Sequence, residues 1–510
     1  MSPAVTDLQA PPALIARPAG LLALACLVVP WLNPFAGGPS SAVGPYLVSV
    51  ACAAMLWAVL GGSHWRREDR AQLFAGAWVM AAALSSVIAL CQYFGLASGF
   101  SPWMNVSEAG QAYANLRQRN QFASLTMIGL AALLWWDHPG RARWPVNACA
   151  ALLAVGCAAS TSRTGLLQLG LLIALTGMWP HAQRARRLRL SLLAAGSYFV
   201  AAFALPRLLS VTHGIEVPDI WGRITMGEGC ASRTVLWSNV LHLIAQKPWL
   251  GWGWGQLDYA HYITLYPGAR FCDILDNAHN LPLHLAVELG LPITLALLGG
   301  LTVLVARARP WSERDATRQL AWSVLAVIGV HSLLEYPLWY GPFEIAAGLA
   351  VVLLWSASEA PPTGRAAAAL RLPLALLVLA TTLYAAWDYR RVSQIYLPYE
   401  ARLPAYREDT LDKIRGSRLF GDQARFAELT LTELTRANAE WTLATSHDLL
   451  RYSPEPRVIE KLIESATLLG RYDEAVEHLA RFRAAFPDAH QAWRRRLSLP
   501  AASAVGRTAG

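Results

Sequence analysis

Apolar runs of about 20 residues recur through the first 390 positions, each cut off from the next by a short polar connection. That length matches the roughly 30 Å of hydrocarbon in a bilayer. Eleven runs centre near residues 25, 53, 84, 128, 152, 172, 199, 292, 328, 349 and 380. Such a chain folds as a bundle of membrane helices, because only helices and closed barrels satisfy every backbone group in lipid. Charged residues make up 15% of the chain, against roughly 25% in a soluble protein. The net charge of +9 is not a nucleic-acid footprint, since the basic residues fall mainly between apolar runs.

Every second connection is basic: His64-Trp65-Arg66-Arg67, Arg141-Ala142-Arg143, Arg184 to Arg189, Arg307 to Arg318, and Arg365 with Arg371. Basic loops stay on the cytoplasmic side of a membrane. The rule places 34–43, 98–118, 161–164, 206–278, 335–342 and everything after 390 on the outer face, and the alternation holds across all eleven runs. Residues 1–17 form a Pro/Ala-rich cytoplasmic tail with no cleavable signal pattern. The expected order is that tail, a membrane domain over 18–390 that includes an outer loop at 206–280, an outer helical domain over 391–500, and a disordered tail over 501–510.

Three outer segments hold charge and amides beside hydrocarbon, where such groups are expensive and mark function. The first is Asn115-Leu116-Arg117-Gln118-Arg119-Asn120-Gln121-Phe122-Ala123. Its arginines serve either as interface anchors or as forks for phosphate, beside amides that match sugar hydroxyls. The second, Ser160-Thr161-Ser162-Arg163-Thr164-Gly165, is a hairpin whose arginine has no acidic neighbour in sequence; an anionic ligand would satisfy it. The third is the loop 206–280. It carries Arg223, then Arg233 in a segment 232–241 whose apolar residues recur at helical spacing, as in a helix lying on the membrane.

A Gly/Trp turn at 247–256 follows, and the loop closes on Asp276-Asn277-Ala278-His279-Asn280-Leu281-Pro282. His279 stands among amides at a membrane entrance. It reads either as a structural histidine or as a general base, since an imidazole with a pKa of about 6.5 accepts a hydroxyl proton at neutral pH. A fourth element, His331-Ser332-Leu333-Leu334-Glu335-Tyr336-Pro337-Leu338-Trp339-Tyr340, ends the ninth run. Its aromatics fit an interfacial belt, while Glu335 is an acid without an adjacent partner, suited to one of the outer arginines. The outer segments contain no Asp-x-Asp pair and no cluster with metal-ligand spacing, which fits chemistry without a metal. Of seven cysteines, Cys26, Cys52, Cys91, Cys149 and Cys157 lie in or beside apolar runs. Cys230 and Cys272 share the outer loop, as a disulfide or as two buried thiols.

Four of these segments together resemble the bacterial O-antigen ligase and protein O-oligosaccharyltransferase superfamily, in particular its protein-glycosylating branch. They are Leu116 to Ala123, Ser162 to Gly165, Asn277 to Asn280 and His331 to Tyr340. The likeness covers roughly 15–390, with the motifs in the same order. The ligases are also similar at His279-Asn280 and Gly290, and the chain departs from their pattern at Ile293, where they carry a small or aromatic residue.

The resemblance implies an all-α, polytopic membrane helical bundle of GT-C type, with about 11 transmembrane helices, in a bacterial inner membrane with its active site facing the periplasm. It implies en bloc, inverting transfer of a glycan preassembled on undecaprenyl diphosphate to a Ser or Thr hydroxyl of an exported, pilin-like protein, with no metal or other cofactor. Carried over by position, His279 deprotonates the acceptor, Arg163 and Arg233 hold the diphosphate, and Gln118 and Tyr336 complete the catalytic set. Arg119, Arg223, Asn280 and Glu335 join in binding substrate. The residues argue alike, because a diphosphate leaving group needs fixed cations rather than an acid.

Residues 391–510 are polar and helical in pattern. Ala466 to Ala475, with Phe482 and Phe486-Pro487, resemble one tetratricopeptide-type hairpin, in which the alanines let two helices approach and Pro487 ends the second. One repeat cannot bury its own face, so helices around 404–419 and 422–450 are expected to stack on it. The domain either presents acceptor proteins or only stabilises the outer loop. A ligase passing O-antigen to lipid A core, or a related polymerase, would run the same chemistry on a sugar hydroxyl. A transporter would instead place ionisable groups near the bilayer midplane.

Overall fold

The computed structural model describes residues 18–61, 65–137, 142–216, 229–355 and 365–498, which form helices and connecting turns with no strand among them. The tails expected at 1–17 and 501–510 lie outside the described residues. In chain order the first helices are α1 Pro18–Leu32, α2 Val43–Leu60, α3 Arg67–Tyr93, α4 Arg119–Trp136, α5 Arg143–Ala159, α6 Arg163–Met178 and α7 Arg184–His213. Then come α8 Arg233–Gln246, α9 Leu257–Ile263, α10 Leu281–Leu289, α11 Leu291–Ala308, α12 Ala316–Ser332, α13 Gly341–Trp355 and α14 Arg365–Ser393. The last are α15 Thr410–Ile414, α16 Gly421–Leu431, α17 Ala439–Leu450, α18 Pro456–Leu468, α19 Tyr472–Ala485 and α20 Pro487–Ser498.

Five stretches are long and apolar enough to cross a membrane by length and composition: Val43–Leu60, Arg67–Tyr93, Arg184–His213, Leu291–Ser312 and Ala369–Tyr396. The chain is a multi-pass membrane protein on that count. Every one of the eleven apolar runs lies in helix, but α1, α5, α6, α12 and α13 have only 15 to 17 residues, short of the roughly 20 that span a bilayer upright.

The chain divides into two compact units, 1–226 with 302–386 and 227–301 with 387–510. In the first, α3 packs along α1, α4 and α5. Helix α4 buries every residue from Gln121 to Leu134, as an apolar-all-round helix must. Small residues bring the backbones together: a Cβ on Gly129 would sit 2.5 Å from that of Ala82, and one on Gly156 2.6 Å from the Ser86 hydroxyl. Close packing of this kind holds membrane helices together where lipid offers no hydrophobic drive.

The basic connections gather at one end of this unit. Arg67 makes a two-pronged pair with Asp315 at 2.8 and 3.0 Å and donates to the Leu353 carbonyl. Arg187 donates to Gln319 at 3.1 Å, and Arg186 pairs with Asp137. The amide-rich segments gather at the other end. There Gln92 accepts from the backbone of Tyr113 and Ala114, and Asn115 donates to the Leu32 and Trp103 carbonyls.

In the second unit α8, α9 and α10 close around Leu236, Val240, Leu243, Leu257, Phe271 and Val287. A Cys230–Cys272 disulfide ties the head of α8 to the far side of its loop across 42 residues, worth about 4 kcal/mol by loop entropy. Tyr262 of α9 bonds His478 of α19 at 2.9 Å, and Arg481 donates to the Ile263 carbonyl at 3.0 Å.

Several expected boundaries move. Helix α7 continues past Pro206 to His213, shortening the outer loop at its start. The run near 292 is two helices, broken at Gly290. A Cβ there would lie 2.3 Å from the Trp249 carbonyl oxygen, and one on Gly251 2.3 Å from that of Glu288; both glycines have positive φ. Backbone bonds Trp252 N–H to Val287, Gly253 N–H to Glu288 and Leu291 N–H to Pro248 lock the Gly/Trp turn into the break. The helix expected over 404–419 is a short turn plus α15. That over 422–450 is split into α16 and α17, because Asn438 accepts from Thr435 N–H and donates to the Glu433 carbonyl, competing with the helix ladder. Pro487 does follow the end of α19, but as the first residue of α20, where its missing N–H costs nothing.

Candidate active site

In the first unit three sequence motifs meet through side chains. Asn120 donates to Glu335 at 3.0 Å and accepts from the Ser162 hydroxyl at 2.6 Å. One turn further along α4, Ser124 lies 2.9 Å from His331 Nδ1 and accepts from Gln168 at 2.8 Å, while Gln168 also donates to the Val327 carbonyl. A chain of buried polar groups therefore fastens α4, α6 and α12. Glu335 is buried within it, and Tyr336, the next residue, stacks on Tyr340 with ring centres 5.8 Å apart. In such a network every member is costly to orphan, so the joint is rigid.

The arginines around this joint share one placement. Arg119 and Arg163 are the first residues of α4 and α6, capped by Gln118, which accepts from Gln121 N–H at 2.7 Å, and Ser162, which accepts from Gly165 N–H at 3.1 Å. In the second unit Arg233 opens α8 behind the Ser232 cap. None of these helices has an acid in its first turn. The start of a helix carries about half a positive charge, so a cation there is unfavourable and an anion favourable. Arg119 and Arg163 have no hydrogen-bond or ion-pair partner among the described residues. Arg117 differs: it adopts φ 61° and its guanidinium donates to the Pro34 carbonyl, a structural tie.

The second unit holds His279 in an uncommon conformation. Its φ is 49°, in the left-handed region that costs a non-glycine residue about 1–2 kcal/mol. Asn277 accepts its N–H at 2.9 Å, and Asn280 caps α10 through the Leu283 N–H at 3.0 Å. Trp237, one turn beyond Arg233 on α8, donates to the Ala278 carbonyl at 3.1 Å. The helix that Arg233 begins is thereby fixed to the His279 turn. Strain of this sort persists only where the surroundings impose it, and it collects at active sites.

Three acids lie near the turn, Glu288 buried, Asp258 half-buried and Asp276 exposed. Asp258 is pushed up to about 7 by burial, with Asp276 and Glu288 adding repulsion. Partial desolvation raises Asp276, and the nearby His279 works against that rise. Glu288 is raised by burial and partly held down by the N–H groups of Gly255, Leu257 and Gln256. His284, depressed to about 4 by burial and then by His279, is neutral at pH 7 where it meets Glu288 at 3.4 Å. No three His, Cys, Asp or Glu among the described residues converge so as to hold a metal ion.

The expected residues thus fall into two groups: Gln118, Arg119, Arg163, Glu335 and Tyr336 in the first unit, and Arg233, His279 and Asn280 in the second. Arg223 lies outside the described residues. Sequence reasoning gave no role to Asn120, Ser162 or Asp276, although each lies inside a motif it singled out. Ser124 and Gln168 carried a usable signal, being polar residues inside apolar runs.

Each motif also falls within a recognised family segment. A profile described as "Protein glycosylation ligase" matches residues 112–136, one described as "O-Antigen ligase" matches 148–298, and one described as "Virulence factor membrane-bound polymerase, C-terminal" matches 319–498. Among curated proteins, the General O-oligosaccharyltransferase of Acinetobacter baylyi is 28% identical over 322 residues, 61% of this chain and 55% of that protein. The ComP-specific O-oligosaccharyltransferase of the same organism is 27% identical over 280 residues, 53% of this chain and 49% of that protein. The chain spans about half the length of the curated relatives it matches. Its segments thus match O-antigen-ligase and protein-glycosylation-ligase profiles, and the curated proteins it resembles are O-oligosaccharyltransferases.

Proposed function

We propose that this protein transfers a preassembled glycan, en bloc and without a metal, from undecaprenyl diphosphate to Ser or Thr hydroxyls of exported proteins such as pilin. In this reading the acceptor oxygen attacks the anomeric carbon as the bond from that carbon to the diphosphate breaks. The acceptor proton passes to His279, and the released diphosphate keeps the bonding pair. Backside attack inverts the anomer. Arg163 and Arg233 hold the diphosphate, with Arg119 and Arg223 adding charge. Gln118, Asn280 and Tyr336 contact glycan or acceptor, and Glu335 positions the amide end through Asn120. The chemistry belongs on the periplasmic face of the inner membrane, opposite the basic connections.

The observation that carries this reading is the pair of arginines at helix starts in the first unit, Arg119 and Arg163, each behind a capping side chain and with no acid in the first turn. Cation and helix end add up to a demand for an anion of more than one charge, which a lipid diphosphate meets. The relatives' names support a protein acceptor. The O-antigen ligase match over 148–298 supports a second acceptor, lipid A core, and the polymerase-described match over 319–498 a third, a growing glycan. Purified protein incubated with undecaprenyl-diphosphate glycan, pilin and EDTA tests the proposal. Wild type is expected to glycosylate pilin and His279→Ala to fail. Transfer to lipid A core alone would move the protein to the ligase reaction, and EDTA-sensitive transfer would overturn the metal-free mechanism.

A further inference from the structure

The first unit contains a cavity that the transfer reaction does not use. It measures 580 Å³ and runs between α2, α3, α13 and α14, walled by residues such as Ala53, Leu56, Phe74, Ile345 and Leu349. Its wall follows α2 from Ser49 to Gly61, about 18 Å at 1.5 Å per residue, which is close to one leaflet of a roughly 30 Å hydrocarbon layer. Trp57, Val352 and Val378 on its lining are 45%, 41% and 38% exposed, so the cavity opens sideways between helices. The wall offers little to water: the Ser49 hydroxyl is taken by the Pro45 carbonyl, and Glu344, at the far end, is hydrogen-bonded to Tyr46.

At the near end two arginines reach the adjacent residues Leu60 and Gly61. Arg70 donates to the Leu60 carbonyl at 3.2 Å. Arg371 lies across Gly61 so closely that a Cβ there would fall 2.4 Å from its Cδ. Both Nε atoms are buried without a hydrogen-bond partner, and neither arginine has an acidic partner among the described residues. The nearby acids are engaged elsewhere, Asp69 with the Arg66 N–H and Asp315 with Arg67. Two uncompensated cations at the mouth of a leaflet-deep apolar groove match one kind of molecule, an anion with a long hydrocarbon tail.

We propose that this groove binds one anionic phospholipid of the cytoplasmic leaflet, its phosphate on Arg70 and Arg371 and an acyl chain along α2 and α13. The site lies at the basic end of the unit, away from Arg119 and Arg163, so it is separate from the diphosphate site proposed above. The lipid fills a void between sparsely packed helices and completes the charge that the fold leaves open.

Native mass spectrometry of the full chain, extracted into mild detergent and offered phosphatidylglycerol or phosphatidylethanolamine, tests this. Wild type is expected to retain one phosphatidylglycerol per chain and to discriminate against phosphatidylethanolamine. Arg70→Gln with Arg371→Gln should weaken retention roughly 30-fold, about a factor of five per guanidinium. Gly348→Leu provides a second arm that leaves both arginines intact. Gly348 lines the cavity with nothing within 4 Å of a would-be Cβ, so a side chain placed there extends into the groove, and leucine should cut retention sharply even if the arginine pair fails to fold. Equal retention of both lipids, unchanged retention in Gly348→Leu, or selective retention of a polyprenyl phosphate would each overturn the assignment.

Discussion

Arg163→Gln should move stability and activity in opposite directions. Without donor, Arg163 stands exposed as the first residue of α6, with no acid in that turn. Removing a cation from that end of a helix recovers about 0.3–1 kcal/mol, and glutamine nearly equals arginine in helix propensity. The Ser162 cap and its bond to Asn120 are untouched. On the proposed function, the same change with donor present deletes a forked contact to phosphate. Two charge-assisted bonds at about 1.5–3 kcal/mol each correspond to a loss of roughly 10²- to 10⁴-fold in rate. The assay pairs thermal unfolding of donor-free protein, followed by tryptophan fluorescence, with initial transfer rates below donor saturation. The variant is expected to melt slightly higher and transfer far more slowly. Arg163→Lys should melt like wild type yet still lose rate, since a point charge cannot reproduce the fork. If Arg163→Gln melted lower and kept its transfer rate, Arg163 would be an interface anchor whose stem packs on the helix, and the dipole argument would fall for Arg119 and Arg233 as well.

Both His279→Ala and His279→Gly should lose transfer by roughly 10²- to 10⁴-fold, but glycine, at ease at φ 49°, should leave the protein about 1 kcal/mol more stable than alanine does; thermal unfolding of the two variants decides. Reduction of Cys230–Cys272, or Cys272→Ser, should lower stability by up to about 4 kcal/mol through the 42-residue loop it releases, seen as a fall in melting temperature with reductant that the serine variant no longer shows. Asp258 has a folded pKa of about 7, raised from the ordinary aspartate value, so between about pH 4 and 7 the native state binds the extra proton and stability falls as pH rises. The depressed His261, His284 and His478 act oppositely below about pH 6.5, so the difference in melting temperature between wild type and Asp258→Asn isolates the aspartate; an equal pH slope in both would show that Asp258 ionises normally. Asn120→Ala should cost about 1–3 kcal/mol by stranding the Ser162 hydroxyl and one Glu335 bond, with transfer falling alongside the melting temperature.

The helices were legible because hydrocarbon imposes a single length scale on sequence. Eleven apolar runs became helix for that reason, and each polar motif at their ends was visible as an exception. What escaped were breaks caused by partners far away in sequence. Residues 281–303 read as one apolar run because nothing within them announces that Gly290 lies against the Trp249 carbonyl. The local hints were His284 and Glu288, two titratable residues one turn apart in an apolar segment, and Pro292 just beyond the glycine. The split between α16 and α17 had a local cause, Asn438 bonding its own neighbourhood, that helical periodicity alone does not weigh.

The candidate site was legible residue by residue and opaque as an assembly. Leu116 to Ala123, Ser162 to Gly165 and His331 to Tyr340 stand far apart in the chain, and each drew notice because polar groups beside lipid are expensive. Their joint is Asn120, a residue with no chemistry of its own to propose, whose amide alone can accept from Ser162 while donating to Glu335. An aspartate would lose the donor and face Glu335 with like charge, and a leucine would strand both partners. The amide's two-sidedness is therefore what lets three helices present two arginine-tipped starts at one end of the unit, the arrangement on which the proposed hold on a doubly charged leaving group rests. The two proposals follow from the same accounting of charge: arginines at capped helix starts call for a polar, multiply charged anion, whereas arginines at the mouth of an apolar groove call for an anion that carries its own hydrocarbon.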